Sequence, residues 1–172
     1  MIVTAVPVKD LVNAKQRLVG VLGPAERAAL ARAMLADVLR ALGDARLGPV
    51  WVVTRDLEAA ALARAFGADV LGEDANRGHT AAVAAARAEA VRRGARTFVT
   101  IPGDVPCVTS AELAALAAAA ADAPAVFVPS RSALGTNGVA LTPPSVMDLV
   151  LDRKSTRLNS SHIQKSRMPS SA

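Results

Sequence analysis

Val50–Leu71 reads VWVVTRDLEAAALARAFGADVL, and it holds strand, helix and strand in one short span. The β-branched run Val50–Thr54 predicts a buried strand, and Asp56 stands where a side-chain acceptor caps the helix Leu57–Phe66. Gly67 ends that helix and Asp69–Leu71 predicts a brief third strand. Strands joined through helices by short connections call for mostly parallel pairing. Working outward, Ile2–Val6, closed by Pro7, predicts the first strand. In Pro24–Leu42 the residues Leu30, Met34, Val38 and Leu42 recur every four positions, with Pro24 in the first turn and Gly43 as the stop, so an amphipathic helix is predicted. Thr80 is read as the cap of a helix reaching Arg93, Thr97–Ile101 as a strand, Thr109 with Glu112 as a capping box opening a helix to Ala121, and Ala125–Val128 as a strand. The alternation predicts a doubly wound, mostly parallel α/β sheet covered on both faces. Ligands then belong at the carboxyl ends of the strands, in the loops that begin at Pro7, Thr54, Gly72, Pro102 and Pro129.

Composition narrows the function. The chain has 172 residues, enough for one domain, with 52% hydrophobic and 20% charged residues, ordinary values for a packed core. Aromatic residues make up only 2%, a poor supply for stacking nucleic-acid bases. The single cysteine, Cys107, excludes an internal disulfide framework or a multi-cysteine metal site and is expected to pack rather than react; a reducing cytoplasm is the expected setting. No run is long and apolar enough to predict a membrane span. The net charge of +5 is confined to one end: residues 1–152 hold 15 basic and 15 acidic residues, whereas Arg153, Lys154, Arg157, Lys165 and Arg167 have no acidic neighbour up to Ala172. Before Arg153 there are 37 alanines and four serines; after it, six serines, one alanine and no apolar period. The chain is therefore divided into a domain at 1–152 and a basic, Ser-rich tail at 153–172, expected to be disordered and non-native, resembling translated adapter sequence.

The loop after the first strand, VPVKDLVNAKQRL, places Lys9, Lys15 and Arg17 at the predicted ligand edge, a set that suits phosphate oxygens or simply a solvated loop. Neither GxxxxGK[ST] nor GxGxxG occurs. In TFVTIPGDVPC, Asp104 follows the fourth strand in a turn shaped by Pro102, Gly103 and Pro106, where Gly103 allows close approach of another backbone. A carboxylate there can hold Mg²⁺ together with phosphate and water, or can close an Asx turn on its own loop. GEDANRGHT offers Asp74, Gly78 and Thr80 before a helix N-terminus, where anions and polar bases are attracted, although turn and cap roles serve these residues equally. His79 has no second histidine before the tail, so a histidine metal cluster or a Ser-His-Asp triad lacks residues. LGTNGVAL sets Gly135, Thr136, Asn137 and Gly138 between two strand-like pieces, as a polar turn or as donors to a small anion.

Taken in order, VPVKDLVNAKQRL, VVTRD at Val52–Asp56, PGDVP and GTN at Gly135–Asn137 resemble the 2-phospho-L-lactate or phosphoenolpyruvate guanylyltransferases of coenzyme F-420 biosynthesis over roughly Ile2 to Asp152. The resemblance implies a nucleotidyltransferase fold of the nucleotide-diphospho-sugar transferase type, with GTP and Mg²⁺. It implies that Lys9 meets the acceptor's phosphate or carboxylate, Lys15 and Arg17 the triphosphate, Asp104 the metal, and Thr136 with Gly135 and Asn137 the small acid. Pro7, Val8, Thr54, Asp74, Gly78, Thr80 and Gly103 would line the nucleotide. Neither a nucleic-acid nor a membrane partner is expected, and monomer and homodimer are both left open. Two departures stand out. His79-Thr80 replaces the family's Leu-Asn, and the Phe-Gly-x-x-Ser-Phe and Asp-x-Asp-Thr-Pro segments expected after Pro144 are not found, so a C-terminally incomplete domain of impaired activity is expected.

A phosphate monoester with a second pKa of about 6 is mostly dianionic at neutral pH, so the implied transfer needs charge neutralisation rather than a general base. Three other readings compete: a molybdenum-cofactor or sugar-phosphate nucleotidyltransferase, a non-catalytic nucleotide-binding module, and a nucleic-acid binder acting through the tail.

Overall fold

A computed structural model describes residues 1–72, 78–131 and 135–149. Asp74 and the whole tail at 153–172 lie outside the described residues.

Among the described residues six strands form one sheet: β1 (Ile2–Pro7), β2 (Val50–Val53), β3 (Asp69–Leu71), β4 (Thr97–Thr100), β5 (Ala125–Pro129) and β6 (Thr136–Leu141). Their order is β3-β2-β1-β4-β6-β5. The strands β3, β2, β1 and β4 run parallel, whereas β6 is antiparallel to both β4 and β5. Four α-helices among the described residues cover the sheet: α1 (Pro24–Ala45), α2 (Leu57–Ala65), α3 (His79–Arg92) and α4 (Ser110–Asp122). Strand residues alternate between two apolar layers. Val6, Val52, Val99 and Ala140 pack with α1, α2 and α4, while Ala5, Trp51, Phe98 and Val139 pack with α3. This is the doubly wound, mostly parallel sheet read from the sequence. None of the helices among the described residues is long and apolar enough to cross a membrane.

Several local signals act as read. The Asp56 carboxylate accepts the Glu58 and Ala59 N–H groups at 2.9 Å each. Thr109 and Glu112 close a reciprocal box at the start of α4, with Glu112 N–H donating to Thr109 Oγ1 at 3.2 Å and Thr109 N–H to Glu112 Oε2 at 2.9 Å. Thr109→Ala should cost about 1 kcal/mol, measured by urea denaturation.

Three expectations need correction. The buried stripe of α1 is Ala31, Leu35, Val38 and Leu42, with Arg27 and Leu39 beside it, whereas Leu30 is exposed. A strict four-residue spacing drifts by about 40° per step around a 3.6-residue helix, so it walks off the buried face. Gly43 does not stop this helix, which runs to Ala45 and closes on Arg46 in the left-handed region at φ 50°. Packing of Ala41 and Ala45 against the core favours the extra turn over glycine's weak propensity. Thr80 is not a cap: α3 begins at His79 behind Gly78, whose φ of 93° turns the chain into the helix earlier. At the other end of α3, Arg92 and then Arg93 hydrogen-bond Glu89 and hold its carboxyl down to about 2. Arg93 also lies over Trp51.

Candidate active site

The chain leaves β1 toward β2 on one side, while β4 flanks β1 on the other. The carboxyl ends of β1 and β4 therefore open a crevice at the point where the strand order reverses, the place where doubly wound sheets bind ligands. Both predicted loops meet there. Lys15 Nζ lies 2.9 Å from Asp104 Oδ2, across 89 positions of sequence. The lysine side chain is 21% exposed and the carboxylate 61%, so Lys15 reaches up from the loop to a carboxylate that faces solvent. Asp104 thus turns to Lys15 rather than closing an Asx turn on its own loop.

Close packing sets this meeting. A Cβ on Gly103 would come 3.1 Å from Val8 Cγ2 and 3.3 Å from Leu35 Cδ1, so the two loops pack closely here and a larger residue would require these side chains to give by a few tenths of an ångström. Val8 N–H donates to Val53 O at 2.9 Å and prolongs the β1–β2 ladder into the loop. Pro7 is buried at the end of that ladder. Lys15 itself adopts left-handed backbone angles, φ 55° and ψ 39°, ahead of the 3₁₀ turn Gln16–Leu18. Such a conformation in a residue with a side chain costs on the order of 1 kcal/mol and is typical of ligand loops. Lys9 and Arg17 are exposed and make no hydrogen bond or ion pair among the described residues, which leaves both cations available to an anion.

The remaining predicted residues are distributed around this edge. Thr54 is buried, and its hydroxyl accepts the Asp56 N–H at 3.1 Å. Gly78 and Thr80 open α3. Thr136 and Asn137 do not form a turn but begin β6, with Thr136 opposite Pro129 and Gly138 opposite Val128. The strand-like piece read after Gly138 thus begins two residues earlier and carries Gly138 inside it, where glycine weakens the strand signal of the sequence. Gly135 N–H donates to Ser130 Oγ at 3.1 Å and closes the connection from β5. A cleft of about 300 Å³, lined by Ile101, Val105, Pro106, Cys107, Leu116 and Asn137 among others, lies beside the same β4–α4 loop. Cys107 does not pack as expected; it stands exposed at this cleft, because Val108, not Cys107, turns toward the core.

Sequence reasoning read Asp56 only as a helix cap. Its Oδ2 also accepts the Leu11 N–H at 2.8 Å and ties the cationic loop to α2. A cap residue carries no local sign of a partner 45 positions away.

Comparison with known proteins bears on this geometry. A family model described as "Guanylyl transferase CofC like" matches residues 2–168. A phosphoenolpyruvate guanylyltransferase from Chloroflexus aggregans is 38% identical over 150 residues, covering 84% of this chain and 74% of its own. Its counterpart in Rubrobacter xylanophilus is 39% identical over 143 residues, covering 83% and 69%. Among solved structures, one from Desulfovibrio desulfuricans assigned to the nucleotide-diphospho-sugar transferases superposes with a TM-score of 0.70 at 17% identity, covering 86% of this chain and 65% of that one. A nucleotidyl transferase from Methanothermobacter gives 0.60, also at 17% identity, covering 81% and 70%. At such identities the structural likeness speaks for the fold.

Proposed function

Because the chain belongs to the CofC-like guanylyl transferase family, we propose that this nucleotidyltransferase moves the guanylyl group of GTP onto the phosphate of phosphoenolpyruvate and releases pyrophosphate, the step that begins coenzyme F-420 assembly. Phosphoenolpyruvate is preferred to 2-phospholactate because the relatives described above act, by their names, on the former. The observation that carries the reading is the meeting of Lys15 and Asp104 at the reversal of strand order.

An oxygen of the acceptor phosphate attacks the α-phosphorus of GTP, and the bond from that phosphorus to the bridging oxygen breaks, leaving with pyrophosphate. At neutral pH the attacking phosphate is already mostly dianionic, so the protein has no proton to remove. Its task is to hold two anions in line and neutralise them. Lys15 and Arg17 take the triphosphate and Lys9 the acceptor, each as a cation in the loop after β1. Pro7, Val8, Thr54, Gly78, Thr80 and Gly103 shape the nucleotide's surroundings together with Asp74. Gly135, Thr136 and Asn137, at the start of β6, receive the small acid.

Among the described residues no group of three histidine, cysteine or acidic side chains could enclose a metal ion. An outward-facing carboxylate such as Asp104, with one oxygen uncommitted among the described residues, nevertheless fits Mg²⁺, which keeps its waters and takes other ligands from phosphate. Asp104 would hold it, and the ion when bound supplies charge neutralisation for the triphosphate. Residues 153–172 take no part in this reading, and a homodimer, if formed, is not required by it.

The test is pyrophosphate release from GTP by this chain at millimolar Mg²⁺. The expected result is release only when phosphoenolpyruvate is also present, and less with 2-phospholactate or with CTP in place of GTP. Nucleotide binding with no release under any of these conditions would convert the reading into that of a non-catalytic module.

A further inference from the structure

We propose that Asp56 is a positioning residue for nucleotide transfer: the carboxylate that caps α2 also sets the backbone of the loop carrying Lys9, Lys15 and Arg17. The inference rests on the functional reading above, since that loop is taken to receive the triphosphate.

The two carboxylate oxygens have separate duties. Oδ1 accepts the Glu58 and Ala59 N–H groups at 2.9 Å and completes the helix start. Oδ2 accepts the Leu11 N–H at 2.8 Å. Asp56 is itself held, because its own N–H donates to Thr54 Oγ1 at 3.1 Å and the Thr54 N–H to Leu71 O at 3.1 Å. A serine or asparagine would cap the helix about as well. What aspartate adds is a second charged acceptor, and hydrogen bonds to a charged acceptor are the strong ones.

Leu11 is the pivot of the loop. Its side chain is 2% exposed and packs in the layer that contains Val6 and Leu35. Its carbonyl accepts the Ala14 N–H at 3.1 Å, and the next residue is Lys15 in its left-handed conformation, with the Leu18 N–H on its carbonyl at 2.9 Å. An unbroken run of hydrogen bonds and short turns thus connects the start of α2 to the lysine that meets Asp104. At the far end, Arg27 donates to Leu22 O at 2.9 Å. Between these two anchors the chain is a series of short hydrogen-bonded turns around one 3₁₀ turn, and Lys15 and Arg17 lie within it, while Lys9 stands two residues before Leu11.

The test uses Asp56→Asn and Asp56→Ser. In the asparagine variant an amide that keeps its oxygen on the helix turns an N–H₂ toward the Leu11 N–H; in the serine variant the single oxygen serves the helix alone. The expected results are unchanged amide exchange at Glu58 and Ala59, faster exchange at Leu11, a melting temperature close to wild type, and roughly tenfold weaker binding of GTP with Mg²⁺, the effect seen when supporting partners of a binding group are lost. Unchanged GTP affinity in a variant whose Leu11 amide exchanges faster would overturn the proposal. So would a loss of affinity accompanied by equal acceleration at Glu58, Ala59 and Leu11, which would make Asp56 merely structural. Absence of GTP binding in the wild-type chain would refute the functional reading itself, an outcome distinct from both.

Discussion

Asp104→Ala should lower pyrophosphate release by about a hundred- to a thousandfold, the cost of removing one group aimed at transition-state charge, while the far-ultraviolet spectrum and the melting temperature stay near wild type. The second half of this expectation follows from exposure. Asp104 is 61% exposed and its partner is a lysine at the surface of the crevice, so deleting the pair removes an interaction worth about 0–1 kcal/mol. The first half follows from position. The carboxylate stands beyond β4 at the strand-order reversal, and in the proposed reaction both substrates are anions. Asp104→Asn separates charge from shape, because its amide oxygen can still accept from Lys15 but carries no charge with which to hold Mg²⁺. Both variants should fail alike. Turnover retained by either one at millimolar Mg²⁺ would remove Asp104 from the reaction.

The largest effect on stability is expected from Gly48→Ala, at about 2–4 kcal/mol, read as a shift of the urea midpoint with an unchanged slope. Gly48 has φ +148°, and a Cβ built there would lie 2.2 Å from the Ile2 carbonyl oxygen. That oxygen is backbone at the start of β1, so no side chain can swing aside to make room. The chain at 48–49 would have to move away, and the adjoining hydrogen bond from Thr4 N–H to Pro49 O at 3.0 Å would go with it. The damage would fall on the β1–β2 pair, at the end of the strands opposite the crevice. Gly20→Ala is the control: nothing lies within 4 Å of its Cβ position, and a change within about 0.5 kcal/mol is expected. Equal midpoints for the two variants would show that the β1 start yields more easily than its geometry indicates.

Much of the architecture was legible because it depends on neighbours in sequence. Asp56 before a helix, Thr109 three residues before Glu112, and apolar β-branched runs between helical segments are signals complete within a few residues, and each acts as read. Signals failed where the surroundings had the deciding weight. Gly43 has low helix propensity, yet packing carries α1 past it; Gly138 breaks the look of a strand, yet β4 and β5 supply partners for β6 on both sides. The residue types proposed for the crevice, three cations and a carboxylate beside glycine and proline, were likewise present in the sequence, since charge and turn chemistry are properties of single residues and short motifs.

Which of those groups meet was decided only by the fold. Lys15 and Asp104 are 89 positions apart and Leu11 and Asp56 are 45 apart, and no local pattern records that β1 lies between β2 and β4. The sequence by itself determined the elements and the chemistry they carry, because backbone propensity and side-chain charge act over a few residues. The tertiary structure decided the pairing of loops, because strand order is chosen by burying both faces of the sheet at once, a condition that the whole chain meets together.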